Sequence, residues 1–90
     1  MYDISRFLWK NRVLVIYTPS YTYHKYLKTI NKLRKKRNLK ALYKRNIQIE
    51  VVLKNDFHID LIALNGTVHE RYPKLRISKI IETVDSMSYL

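Results

Sequence analysis

Arg12-Val13-Leu14-Val15-Ile16-Tyr17, closed by Thr18-Pro19-Ser20, is the stretch on which the fold turns. Val13 to Ile16 are all apolar and three of the four are β-branched, so a strand built from them has no polar face. Such a run belongs in the middle of a sheet, beside a parallel neighbour. Downstream, Tyr23, Tyr26, Leu27, Ile30 and Leu33 recur at three- and four-residue intervals, the stripe of a helix that packs on a sheet. Ser20 or Thr22 is placed to cap that helix. Lys28, Lys32, Lys36, Lys40 and Lys44 repeat every four residues on its other faces. Like charges so spaced repel by roughly 0.2–0.5 kcal/mol per pair, so the apolar stripe or a bound anion must hold the helix. The stripe slips near Arg37-Asn38, which predicts a break there and a shorter helical piece through Leu39, Leu42 and Tyr43.

Ile47, Ile49, Val51 and Leu53 alternate with Gln48 and Glu50, the period of a strand. Strand, helix and strand in so short a span call for a crossover and parallel pairing. Ile59–Leu64 and Thr67–Tyr72 flank Asn65-Gly66, a hairpin signal of type I′. Its register sets Leu64 against Thr67, Ile62 against His69, and Asp60 against Arg71, the last a cross-strand ion pair worth about 0.2–1 kcal/mol. Ile77, Ile80, Ile81, Val84 and Met87 trace a closing amphipathic helix. The order is β-α-β-β-β-α, read as a single domain over residues 1–90.

Composition narrows the chemistry. The chain is 47% hydrophobic, which suffices for a core, and it holds one Gly, two Pro and no Cys. Disulfides, thiol redox chemistry and Cys–zinc sites are therefore excluded. Met1-Tyr2-Asp3 lacks a basic n-region, and Val13–Tyr17 is too short for a signal peptide or a membrane span. The expectation is a soluble intracellular protein of the cytoplasm or an organellar matrix. The net charge is +11, and no acid lies between Asp3 and Glu50, a segment holding 13 of the 18 Lys and Arg residues.

Several local features carry a resemblance. Trp9-Lys10-Asn11-Arg12 leads into the first strand and Pro19 follows it; an Asn-Gly turn joins two late strands; the chain closes with Ile80-Ile81-Glu82-Thr83-Val84-Asp85-Ser86-Met87. The pattern resembles a thioredoxin-like domain of unknown function. That family occurs in short bacterial proteins and in animal sushi-repeat and coiled-coil-containing extracellular-matrix proteins, and shows a Trp-x-x-Arg lead-in, a Gly-Lys-Asp-Gly-like hairpin and a closing Ile-Asp-x-Met. The departures are specific. Leu64-Asn65-Gly66 lacks the Gly-Lys pair. Lys54-Asn55-Asp56 is too short for the helix of a full thioredoxin fold. The cis-proline has no counterpart at His58, and Thr18-Pro19-Ser20-Tyr21 stands where the redox thiols would be. The resemblance thus implies a truncated thioredoxin-like β-α-β-β-β-α sandwich, a mixed four-stranded sheet with two helices, and argues against an oxidoreductase.

For function, the basic helix leads. Lys25, Lys28, Lys32, Arg34, Lys35, Lys36, Arg37, Lys40, Lys44 and Arg45 could meet successive phosphates, with little sequence specificity. Tyr21, Tyr23, Tyr26 and Tyr43 interleave with them and could stack on unpaired bases. The expected partner is an anionic macromolecule, RNA or a nucleoprotein assembly, bound without enzymatic activity, cofactor or small-molecule substrate. The same lysines also fit a merely solvated face. A membrane surface is disfavoured because the sheet needs the apolar stripe. Arg34-Lys35-Lys36-Arg37 is only weak as a nuclear-localisation patch. The competing expectation is a protein–protein module, a small subunit or adaptor binding an acidic protein or docking through residues such as Trp9 or Tyr89; Trp9 itself reads first as a core anchor beside the first strand. His24, His58 and His69 fall on three elements without ligand spacing. Asp56, Asp60 and Glu70 offer no acid–base pair, since Asp60 has Arg71 and Glu70 points to the opposite face. Thr18 and Ser20 lack a base, and no Gly-rich loop offers a phosphate cradle.

Overall fold

The computed structural model describes residues 5–87. After a 3-10 turn at Ser5–Phe7 come β1 (Arg12–Thr18), α1 (His24–Leu33), α2 (Lys36–Lys44), β2 (Ile47–Leu53), β3 (His58–Ile62), β4 (Val68–Tyr72) and α3 (Ile77–Ser86). The sheet order is β2-β1-β3-β4, with β1 parallel to β2, and antiparallel pairing between β1 and β3 and between β3 and β4. The apolar run lies where its composition requires: Val13, Leu14, Val15 and Ile16 are all fully buried in a central strand. Tyr89 lies outside the described residues.

Alternation along the strands divides the core in two. Leu14 and Ile16 pack with Ile47, Ile59, Leu61 and Tyr72 beneath Leu33 of α1, Leu42 of α2, and Ile80 and Val84 of α3. Val13, Val15 and Ile62 face the other way, against Phe7, Tyr17 and Val52. All three helices thus contribute their buried leucines, isoleucine and valine to one side of the sheet. Only Lys54 to Phe57 separate β2 from β3, and no helix forms there. No helix among the described residues is long and apolar enough to cross a membrane.

The basic helix breaks earlier than its stripe predicts, at Arg34-Lys35 rather than Arg37-Asn38. Lys35 is extended (φ −62°, ψ 125°) as the N-cap of α2. Asn38 causes the shift: its side-chain Nδ2 donates to the Lys32 carbonyl at 2.8 Å, satisfying an end of α1 from inside α2. The stripe is corrected too. Leu27 is 47% exposed, and Thr29, bonded to the Lys25 carbonyl at 2.8 Å, is buried in its stead. Neither Ser20 nor Thr22 caps α1; Tyr23 occupies the N-cap without a side-chain bond, while the Thr18 hydroxyl donates to the Ser20 carbonyl at 2.8 Å.

The hairpin keeps Asp60 opposite Arg71 but places Val68, not His69, opposite Ile62, because of a bulge beside Leu61 and Ile62. Within the turn Gly66 has positive φ (88°) and Asn65 does not, so the turn is not type I′. Gly66 N–H bonds the Ala63 carbonyl, and Ala63 N–H the Thr67 carbonyl, each at 2.9 Å, the pattern of a longer loop with a left-handed glycine. Asn65 serves as an acceptor, taking bonds from the Thr67 N–H and hydroxyl at 3.1 and 2.7 Å.

Trp9 is no core anchor. It adopts φ 60° and is 65% exposed, its N–H donating to the Leu64 carbonyl at 2.8 Å. That turn swings the indole outward, and Phe7 covers Val13 and Val15. Asn46, also left-handed, ends the crossover and ties it to the residues that lead into the first strand, donating to the Lys10 carbonyl and accepting from Asn11 at 2.6 Å.

Candidate anion-binding interface

The break between α1 and α2 sends the lysines into three neighbouring grooves. The first, of about 400 Å³, is lined by Lys25, Lys28 and Lys32 of α1, by Lys74 after β4, and by Phe57, Pro73 and Leu75. Positions 25, 28 and 32 recur at helical spacing, so the three ammonium groups rise from one flank of α1. The second groove, about 650 Å³, shares Lys32, Lys74 and Leu75 with the first and adds Lys35, Arg37, Arg76 and Lys79. The third, about 790 Å³, shares Arg37 with the second and adds Lys40, Tyr43, Lys44 and Arg45. Shared walls make the three a single track along the helical layer, and no carboxylate lines any of them.

The helix ends reinforce the field. α2 and α3 begin beside the second groove, neither has a side-chain cap, and neither has an acid in its first turn. Lys36 and Arg37 occupy the start of one, and Lys79 the first turn of the other. Positive charge at a helix N-terminus adds to the macrodipole instead of cancelling it, by about 0.3–1 kcal/mol each.

Of the ten cationic residues expected from sequence, Lys25, Lys28, Lys32, Lys35, Arg37, Lys40, Lys44 and Arg45 line the track, while Arg34 and Lys36 are exposed outside its three grooves. Arg45 stands apart, because Asp85 of α3 binds it through two hydrogen bonds of 2.7 and 3.0 Å, and a third bond goes to the Ala41 carbonyl. That pairing holds the Asp85 carboxyl below its usual range, chiefly by the hydrogen bond from Arg45. None of the other nine pairs with a carboxylate of the described residues. Of the tyrosines, Tyr43 is exposed on the third groove, and Tyr21 is exposed with its ring 5.9 Å from that of Tyr26. Tyr26 packs against the core and Tyr23 against Phe57.

Lys74, Arg76 and Lys79 escape a reading by sequence, since they lie in the half of the chain where acids outnumber bases. Their only signal is the run Pro73-Lys74-Leu75-Arg76 just after a strand. The strand order is what returns this run to the flank of α1.

A second polar group gathers on the sheet face away from the helices. Asp60, 1% exposed, takes two bonds from Arg71; His58, also buried, sets Nδ1 3.2 Å from Asp56 and stacks on Tyr17 with ring centroids 4.5 Å apart. Burial, and then the nearby Asp60 charge, push the Tyr17 phenol above its usual pKa. His24, at the start of α1, and His69, on β4, stand elsewhere, and no set of three or more metal-binding side chains assembles among the described residues.

No family model and no curated protein matches the chain. Among solved structures it is similar to the crystal structure of reduced Plasmodium vivax 2-Cys peroxiredoxin, with a TM-score of 0.72 over 94% of this chain and 69% of that one, at 14% identity. Identity that low speaks for the fold alone, a thioredoxin-like α/β arrangement built on a mixed four-stranded sheet. That protein is a 2-Cys enzyme, whereas this chain contains no cysteine.

Proposed function

We propose that the chain is a non-enzymatic binding module whose cationic track holds an anionic macromolecule, RNA or a nucleoprotein assembly, in an intracellular setting. One observation carries the reading: three grooves that share walls, lined by Lys and Arg from α1, α2 and the start of α3 without a carboxylate. A solvated face would mix the two signs of charge; here eleven cationic residues border connected concavities. The partner is recognised by its phosphates, each of which releases condensed counterions when neutralised. The sequence resemblance to the thioredoxin-like domain of unknown function supports the same view of a scaffold kept without its redox chemistry.

The test is a titration of labelled single-stranded RNA at stepped salt. About five phosphate contacts give a log–log slope near −3.5, roughly a hundredfold loss of affinity between about 50 and 200 mM. A flat response ends the proposal.

A second reading, an adaptor or subunit that docks on another protein, is favoured by Trp9, a large apolar residue that is 65% exposed. Binding that survives high salt and is lost in Trp9→Ala would establish it in place of the first.

A further inference from the structure

We infer that the first groove seats one unpaired nucleotide of the bound strand, its base on the apolar floor and its flanking phosphates on the lysine rim. This rests on the reading of the track as a nucleic-acid interface and names the form of nucleic acid that it takes. The other two grooves are more open, although Leu75, Ile77 and Ile81 line the second and Ala41 and the exposed Tyr43 line the third. The first is the most enclosed, and in it an aromatic ring held against the core, Phe57, lies with Leu75 among Lys25, Lys28, Lys32 and Lys74. Leu75 is buried in the core and Phe57 packs on its margin, so the floor is held by the same contacts that hold the sheet to its helices. The Phe57 ring also packs against that of Tyr23, tilted by 39° with centroids 6.0 Å apart.

Bare phosphate recognition has no use for such a floor. A base has an apolar π-face and stacks on an aromatic side chain whatever its identity, and its two neighbouring phosphates fall on either side of it. Four ammonium groups with no carboxylate among the lining residues match that charge pattern. The volume, about 400 Å³, is within the range of sites that enclose a small ligand. A base inside a duplex is paired and stacked, and reaching the floor would require breaking both. The geometry therefore selects single strands, with no preference among bases from hydrogen bonding.

The experiment uses the full chain and a 12-nucleotide RNA, about the length one small module covers, carrying 2-aminopurine at one position per probe, offered single-stranded and as a duplex. The single strand is expected to bind at least about tenfold more tightly at equal salt, and one or more probe positions to change in fluorescence on binding. Phe57→Leu keeps an apolar side chain for folding but removes the aromatic face; it should erase the probe signal and lower single-strand affinity by roughly 5–100-fold, with the salt slope unchanged. Lys28→Gln should instead flatten the slope by about one contact. Equal binding of duplex and single strand, or a Phe57→Leu variant that binds and signals like the parent, overturns the inference while salt-steep binding leaves the broader reading standing. Loss of any salt-dependent binding by the parent chain removes both.

Discussion

Asp60 and Arg71 face each other across β3 and β4, and the guanidinium grips the carboxylate through two hydrogen bonds of 2.7 and 3.0 Å. The partners are unequal: Asp60 is 1% exposed, whereas the Arg71 side chain remains largely open to solvent. Removing the arginine strands a carboxylate that has already lost its water, which costs more than the pair itself contributes. Arg71→Ala should lower the urea midpoint of unfolding more than Asp60→Ala/Arg71→Ala does. A double variant no more stable than the single one would refute this account.

Charge reversal distinguishes a site assembled in space from one read along the chain. Lys74→Glu/Lys79→Glu should weaken binding of single-stranded RNA about as much as Lys28→Glu/Lys32→Glu, each pair lowering the salt slope by about two contacts. Arg34→Glu/Lys36→Glu, outside the grooves, should do less. If only substitutions in α1 and α2 matter, the C-terminal wall plays no part.

Acid should undo the clasp between α2 and α3. The bond from Arg45 depresses the folded pKa of Asp85, so the stabilisation is complete above the ordinary carboxylate value of about 3.9 and is lost as pH falls through the lower folded value. Thermal midpoints of the parent chain and Asp85→Asn should differ near neutrality and converge in the acid limb. A gap that persists at the lowest pH would mean that the contact is not ionic.

Two leucines on α1 and α2 separate the stripe that periodicity suggests from the one that packs. Leu42 is fully buried and Leu27 is 47% exposed. Leu42→Ala should cost about 2–5 kcal/mol, and Leu27→Ala less than about 0.5 kcal/mol, by chemical denaturation.

The strands were the most readable part of the chain. Period two in Ile47–Leu53 and unbroken apolarity in Val13–Ile16 are local properties, and both strands fall where these properties put them. What eluded the sequence depended on contacts between distant positions. Asn38 moved the helix break by reaching back to Lys32, and Trp9 left the core because a backbone bond to Leu64 turned the chain. The cationic track was half legible: its α1–α2 wall is a charge run, but Lys74, Arg76 and Lys79 become part of it only once β4 lies at the sheet's edge and α3 returns.

A rim of ammonium groups without counter-charges leaves the empty protein under internal repulsion. Dissolved electrolyte therefore pulls in two directions: it relaxes the free molecule, raising its melting temperature, while it competes away whatever polyanion the rim would hold. The conditions that make this chain most robust alone are those in which it is least able to capture a partner.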